Sequence, residues 1–540
     1  MKRFLTLVLF FAIITAWATA QNLHVTYGPG WGISKLAYKN EVLIDVPNNI
    51  GRALGPEAFK VIRKGGKVWA EWSQFAGRLW DESSKTFYAD FNWGKYNCQF
   101  SNVGDTLYMK VTFTNLSSTD TFCGMSFSPL TLQLKKRPGN FQEFFPYYGN
   151  NITKPSVVNA DLPLYRMVLA IGEFSNKSYL GFLEENGTNG TWYRIWSGNR
   201  PYNGMRDFDE KSELRLPPKK SISYTIALKF SQPGTPLELI SNKALTNFRK
   251  AQTFKINWKD RRPIGTLFLS SFQAEQKLSN VRNWSVSPNE LLDIRTSEGL
   301  KKFRAKVFEF ADNSIRNLKD MNAQGMITWD IEGQQYPHPM SYIGSPELLS
   351  KMAPEMEILA DEYFAKFRTA GMRTGICLRP DSVVFIKENN WIDHVLVKDP
   401  AATLIKKIKY ARKRWGCTIF YVDSNIQSDG ETMDASVFQK VQAACPDVLL
   451  IPEHERLLYF AVTAPYGELR AGTLTISEEI KATYPGAFMV LNVAEGLTGN
   501  ERKDLSDLTK SLKQGNILLF RAWYKDEPAN TIIKRAYKLN

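Results

Sequence analysis

The sequence predicts two large domains, an N-terminal antiparallel β-sandwich followed by a C-terminal (β/α)8 barrel of the TIM type, and three observations predict them. The chain has 540 residues, well beyond the ~100–200 of a single domain. Its first part shows period-two hydrophobic alternation broken by Gly- and Asn-rich turns, and its second part alternates short apolar strands with long amphipathic helices. Hydrophobic residues at 43%, charged residues at 23%, and 33 Phe, 22 Tyr and 14 Trp exclude a disordered chain, collagen or a coiled coil.

Residues 1–20 read as a signal peptide. Lys2 and Arg3 precede an apolar run from Phe4 to Trp17, and Ala18-Thr19-Ala20 has the small-x-small pattern of a signal-peptidase site. The mature chain is therefore expected to start at Gln21 and to be exported, to the periplasm or outside the cell. The run is shorter than the ~20 residues of a spanning helix, and no later segment is long and apolar enough, so no membrane span is expected in the mature chain. No Cys follows the cleavage point, so a lipid anchor is not indicated. Export permits disulfides, yet five cysteines are odd in number and sparse for the length, which argues against a disulfide scaffold. Cys98 with Cys123 is the one candidate pair, since Cys377 and Cys417 fall roughly 10 Å or more apart on adjacent strands.

Residues 21–232 form the predicted sandwich. Leu107, Met109, Val111 and Phe113 alternate with Tyr108, Lys110, Thr112 and Thr114, and Ile222, Tyr224, Ile226, Leu228 and Phe230 repeat the pattern. Asn186-Gly187 and Asn189-Gly190 are turn signals between such runs. Residues 233–262 read as a helical linker that ends in Lys259-Asp260-Arg261-Arg262-Pro263. In the barrel, 263–540, one helical stripe is Leu300, Phe303, Val307, Ala311, Ile315 and Leu318, and a second is Met356, Leu359, Tyr363, Phe367 and Ala370, with Gly371 placed to cap it. Strands are expected at 265–271, 326–330, 373–378, 417–423, 447–453, 487–493 and 516–521, with an eighth in 464–476. The competing doubly wound sheet would carry a nucleotide fingerprint in its first βα turn, and Ser270-Ser271-Phe272-Gln273 has none.

A barrel directs attention to the C-terminal ends of its strands, where active sites lie. Here those ends are unusually polar: Asp330 and Glu332, Arg379 and Asp381, Asp423, Glu453-His454-Glu455, Glu495, and Arg521 with Trp523. Side chains alternate along a strand, so Asp330 with Glu332, Arg379 with Asp381, and Glu453 with Glu455 are each expected to face one side. Several carboxylates converging on one cavity, flanked by Arg379 and Arg521, are hard to read as packing alone, because each resists dehydration unless paired. His338 and His394 are isolated and read as structural or surface residues. The net charge of +15 fits an acidic polymer, an anionic membrane surface or nucleic acid. Nucleic acid is not expected, for there is no basic run with interleaved aromatics, zinc-finger spacing or phosphate loop.

Carboxylates and aromatics at the mouth of an exported barrel suit glycoside hydrolysis on an oligo- or polysaccharide. That reaction needs one carboxylate to attack or to activate water and another to protonate the leaving oxygen. Strands ~4.8 Å apart bring carboxylates of the fourth and fifth strands to the ~5–5.5 Å of a retaining mechanism. Asp423 with Glu455 or Glu453 is the leading pair, and Asp330, Glu332, Arg379, Asp381, Arg521 and Trp523 are the expected sugar-binding set. No catalytic metal or cofactor is expected, although the pattern allows an all-carboxylate calcium site.

Sandwich, linker and a barrel whose fourth strand ends Phe420-Tyr421-Val422-Asp423 resemble the exported retaining α-glycosidases that include melibiases and endo-α-N-acetylgalactosaminidases. The resemblance implies that Asp423 is the nucleophile. It also implies an acid/base Glu on the fifth strand, matching Glu453 or Glu455, or an acid on the sixth strand, for which Glu495 is the nearest match. Tyr421-Val422 stands where melibiases carry a lysine before the nucleophile. Glu453 just past the apolar strand is expected to be fixed by Arg379, so Glu455 is preferred as the acid, then Glu453, then Glu495. Two other readings compete: a non-catalytic glycan-binding protein with platforms at Trp192, Trp196 and Tyr202, and a polysaccharide lyase or deacetylase using Arg379 and His454.

Overall fold

The computed structural model describes residues 22–29, 32–45, 58–62, 68–72, 74–123, 126–134, 141–142, 157–161, 166–171, 179–187, 190–198, 216–240, 255–270, 277–285, 292–334, 342–386, 391–426, 432–523 and 528–540. The expected signal peptide, His338, Tyr202 and the side chains of Trp192 and Trp196 lie outside the described part. The chain divides into two compact units, 1–251 and 252–540.

Among the described residues, every strand pairing of the first unit is antiparallel. Its largest sheet has eight strands, in the order Phe141–Gln142, Val157–Asp161, Arg166–Ile171, Ser221–Ser231, Thr106–Asn115, Gly94–Val103, Thr86–Phe91 and Phe75–Asp81. Leu107, Met109, Val111 and Phe113 are each at 0% exposure, so the alternation marks one buried face. Sheets stack across that face. Tyr38, on a neighbouring three-stranded sheet, stacks on Phe230 with ring centroids 4.7 Å apart. Phe100 fits against Gly32, whose φ of +89° and lack of a Cβ admit the ring. Cys98 is a buried free thiol, so the candidate pair with Cys123 is not bridged. Cys98 sits between Phe87 and Val111 in the large sheet, whereas Cys123 pairs with Lys60 in another.

In the second unit eight strands form one parallel sheet: β1 (Ile264–Phe268), β2 (Gly325–Trp329), β3 (Arg373–Leu378), β4 (Cys417–Val422), β5 (Leu449–Pro452), β6 (Tyr466–Glu468), β7 (Val490–Asn492) and β8 (Ile517–Arg521). Their order, β5-β4-β3-β2-β1-β8-β7-β6, is that of a (β/α)8 barrel. Between β5 and β6 the ring is joined by one backbone bond, Ala464 N–H to the Leu450 carbonyl at 2.9 Å. The eighth strand of the sequence reading is thus β6, hard to see because only three residues are extended.

Ile264, Ile327, Ile419, Leu449, Val490 and Ile517 fill the barrel at 0% exposure, with Trp329, Tyr421, Ile451 and Leu519 above them. Trp258, expected in the linker, joins this core and donates its indole N–H to Gln324. The main helices are α1 (Ser297–Asp320), α2 (Pro354–Thr369), α3 (Pro400–Trp415), α4 (Ala435–Ala444), α5 (Glu478–Thr483), α6 (Glu501–Lys513) and α7 (Pro528–Leu539). The Thr296, Asp399, Asp434 and Asn500 side chains cap the N-termini of α1, α3, α4 and α6. Gly371 closes α2 at φ +77°, as its position in the sequence predicts. On α1 the first turn buries Gly299, not Leu300, which is 40% exposed. Within the described residues, no helix is long and apolar enough to cross a membrane.

Candidate active site

Asp423 follows β4 directly and Arg379 follows β3, and the Asp423 N–H bonds the Leu378 carbonyl at 2.9 Å. The two side chains meet on a single oxygen. Arg379 Nε lies 2.6 Å and Nη2 2.5 Å from Asp423 Oδ2, and the Ser424 hydroxyl donates to the same atom at 3.2 Å. Oδ1 accepts no hydrogen bond from the described residues. Asp423 is 3% exposed. Burial raises its pKa from the ordinary aspartate value, Arg379 opposes that shift, and the charge of Glu453 adds to it.

Glu453 follows β5, and the pair Val422 with Pro452 sets its register beside Asp423. Its N–H bonds the Val422 carbonyl at 3.0 Å, and its Oε2 accepts the Ser424 N–H at 2.8 Å. Ser424 therefore serves both carboxylates, its hydroxyl on Asp423 and its amide on Glu453. It does so from φ +50°, in the left-handed region that Asp330, just after β2, and Tyr342, in the loop beyond it, also occupy at +53°. His454 Nε2 stands 3.6 Å from Glu453 Oε2, so His454 faces this carboxylate. Glu455 is exposed, because the chain turns after Pro452 and strand alternation stops there.

Asp330 is 2% exposed, with Ser270 Oγ donating to Oδ2 at 2.6 Å and the Tyr342 N–H to Oδ1 at 2.6 Å. Burial, with a smaller contribution from the Asp423 charge, pushes its pKa up to about 6 against both hydrogen bonds. Glu332 accepts the Ser345 N–H at 2.8 Å, and burial pushes it up to about 7. The left-handed turn at Asp330 breaks the strand geometry that would have aimed both carboxylates one way.

Arg379 and Asp381 also take separate partners. Asp381 Oδ1 lies 2.9 Å from His394 Nδ1, on the hairpin of Ser382–Ile386 and Trp391–Val395. His394, which the sequence shows as isolated, is paired with Asp381 in the fold. Arg379 binds Asp423 and not Glu453, which corrects the expected pairing: Asp423 lies in the next strand of the sheet, Glu453 one strand further.

Glu495 follows β7, the seventh strand, so it is not the sixth-strand acid. It is exposed, and both its oxygens are taken, one by Arg521 at 2.9 Å and the other by Arg470 at 2.6 Å. The sixth strand ends in Glu468, which accepts from the Tyr466 hydroxyl at 3.0 Å and from Arg470 at 3.0 and 3.1 Å. Sequence reading missed Glu468 because β6 has three residues and no apolar run. Aromatic rings line the strand ends: Trp523 edge-on to Phe268, Phe268 stacked on Trp329, Trp329 tilted to Tyr421, and Tyr421 edge-on to Tyr466, at centroid spacings of 5.2–5.8 Å.

One further residue was legible but unread. Lys407 interrupts the apolar stripe Leu404, Ile408, Ala411 and Trp415 of α3, and a lysine on a buried face is a signal. Its Nζ bonds the carbonyls of Gly344, Arg379 and Asp381. Among the described residues, no cluster of three His, Cys, Asp or Glu has metal-binding geometry.

No protein-family model matches the chain, and no curated protein sequence does. Solved structures do. One is an α-N-acetylgalactosaminidase from Bifidobacterium bifidum with GalNAc bound, 8% identical, covering 96% of this chain and 91% of its own, with a TM-score of 0.47. A second is a GH31 family sulfoquinovosidase from E. rectale with an aza-sugar inhibitor, 8% identical, covering 96% and 82%, with a TM-score of 0.42. A third is the galactosidase domain of an α-galactosidase-sucrose kinase, 10% identical, covering 89% and 73%, with a TM-score of 0.42.

Proposed function

We propose that this chain is an exported glycoside hydrolase, a retaining α-glycosidase, with Asp423 as nucleophile and Glu453 as acid and then base. The observation that carries the proposal is the asymmetry of Asp423. The Arg379 guanidinium and the Ser424 hydroxyl hold Oδ2, by two hydrogen bonds and one further ion-pair contact, and leave Oδ1 to attack. In the first step Oδ1 forms a bond to the anomeric carbon while the glycosidic bond breaks, and the Glu453 carboxyl gives its proton to the departing oxygen. In the second step Glu453 takes a proton from water, whose oxygen displaces Asp423 from the same carbon, and net retention follows. Arg379 opposes the protonation of Asp423 that burial favours.

Asp330, Trp523 and the aromatic row form the sugar-binding wall, with Arg521 at its β8 end. Glu332 and Asp381 bind their own loops, at Ser345 and His394, and shape the site from behind. Glu453 takes precedence over Glu455 because it shares Ser424 with the nucleophile, whereas Glu455 is exposed beyond the turn. The α preference rests on the resemblance of the fourth-strand Asp to that of the melibiase group, and export rests on Lys2, Arg3 and the apolar run after them.

A panel of nitrophenyl α- and β-glycosides tests the reading. At least one α-glycoside is expected to be hydrolysed with retention, and Asp423→Asn is expected to abolish that. Glycan binding without turnover would instead indicate a binding protein, and an ultraviolet-absorbing unsaturated product a lyase.

A further inference from the structure

We infer that Lys407 is a positioning residue, which fixes where the Arg379 guanidinium meets Asp423 by holding the main chain on either side of it. Its consequence for turnover rests on the function proposed above. Lys407 is 1% exposed and lies on the barrel-facing side of α3. An ammonium has three N–H donors, and here each finds a main-chain carbonyl: Gly344 at 2.8 Å, Arg379 at 2.8 Å and Asp381 at 2.9 Å. No carboxylate of the described residues lies within ion-pair distance of it, although the charges of Glu347, Asp381 and Glu332 act on it from the surrounding loops. Burial disfavours its charged form. A buried charge spent on three carbonyls is a clamp on backbone.

That clamp joins two loops. Gly344 lies after β2 at φ +59°, and its carbonyl accepts both the Lys407 ammonium and the Arg379 N–H, the latter at 3.2 Å. A side chain on Gly344 would collide with the backbone of Leu378 and Arg379. Both main-chain polar groups of Arg379 are therefore held, its N–H by Gly344 and its C=O by Lys407. The backbone that launches the guanidinium is pinned, and two of the three guanidinium nitrogens, Nε and Nη2, reach one oxygen of Asp423. Other charged or titratable groups facing Asp423 are Glu453, Asp330, Cys377, Tyr342 and Tyr421.

The test is a titration that needs no turnover. The full-length protein carries 13C-carboxyl aspartate, and the Asp423 signal is assigned by its loss in Asp423→Asn. Lys407→Met is expected to raise the Asp423 midpoint by about one pH unit, a tenfold change in proton affinity, and to lower kcat at least ~10-fold with KM little changed. Arg379→Gln is expected to raise the midpoint at least as far, and adding Lys407→Met to it should do nothing more, because the lysine acts through the arginine. An unchanged midpoint in folded Lys407→Met overturns the inference. So does a shift of equal size in the Arg379→Gln background, which would be a direct charge effect. If the methionine variant does not fold, Lys407→Gln, shorter and with only two N–H donors, cannot hold all three carbonyls, and an unmoved midpoint there is equally contrary. A chain that hydrolyses no glycoside contradicts the proposed function and leaves this titration to decide the role of Lys407.

Discussion

Arg379 sets two nitrogens, at 2.6 and 2.5 Å, on the same oxygen of Asp423. A bidentate pair would divide them between the two carboxylate oxygens. Converging on Oδ2 neutralises the buried carboxylate yet leaves Oδ1 without a donor among the described residues. That is the charge distribution a nucleophile needs, since hydrogen bonds to the attacking oxygen withdraw electron density from it.

Asp423→Ala is therefore expected to keep the fold, because a carboxylate at a strand end contributes little packing, and to lose several orders of magnitude in kcat/KM. Azide, small enough for the vacated space, is expected to restore turnover of activated aryl glycosides with inverted stereochemistry. Circular dichroism and product NMR check the two halves of this prediction.

Arg379→Gln leaves a buried anion without its partner. Its cost is expected on the order of 3 kcal/mol near neutral pH. Lowering the pH to where Asp423 takes up a proton should remove most of it, because the neutral acid needs no counter-charge. The acid limb of the kcat/KM profile should move to higher pH, since a raised pKa leaves less of the nucleophile ionised. Denaturant melts at two pH values and a rate profile measure these effects.

Much of this arrangement was legible in the sequence. Period-two alternation through Val111 and the stripe through Val307 depend on burial of one face, which any fold must satisfy, and Asp423 stands at the end of an unmistakable apolar strand. What was not legible depends on turns and on neighbours distant in the chain. Strand periodicity stops at Trp329 and Pro452, so it could not aim Asp330 and Glu332, or Glu453 and Glu455. Glu468 was missed because β6 is too short to announce itself, and with it the number of the strand before Glu495. The choice of Arg379 between Asp423 and Glu453 is a matter of sheet order, fixed only once β3 and β4 pair.

Asp330 and Glu332 make the barrel less stable as the pH rises. Their folded pKa values, about 6 and about 7, lie above those of the unfolded chain. Between roughly pH 4 and pH 7 the native state thus holds more protons, and stability falls with rising pH through that window. Asp330→Asn removes one contribution: its amide carbonyl can accept from Tyr342 and its NH2 can donate to Ser270. The variant is expected to gain up to ~3 kcal/mol above pH 7, from a shift of about two units, and nothing at pH 4. Equal gains at both pH values would contradict the burial argument.

The acid is identified by leaving groups. Glu453→Ala is expected to damage hydrolysis of alkyl glycosides, which need protonation, far more than that of dinitrophenyl glycosides. Glu455→Ala, Glu468→Ala and Glu495→Ala are expected to keep the wild-type ratio of the two. If one of them alone changes that ratio, the acid role passes to its glutamate.

The central claim is that Asp423 bonds covalently to the sugar. Fluorinated α-glycosides with a good leaving group slow the second step more than the first, so the intermediate accumulates and can be digested. Mass spectrometry of the labelled peptides is expected to find the sugar esterified to Asp423 in the wild-type protein, and no adduct in Asp423→Asn. A sugar found on Glu453 or on any other carboxylate, with Asp423 unmodified, would contradict the account.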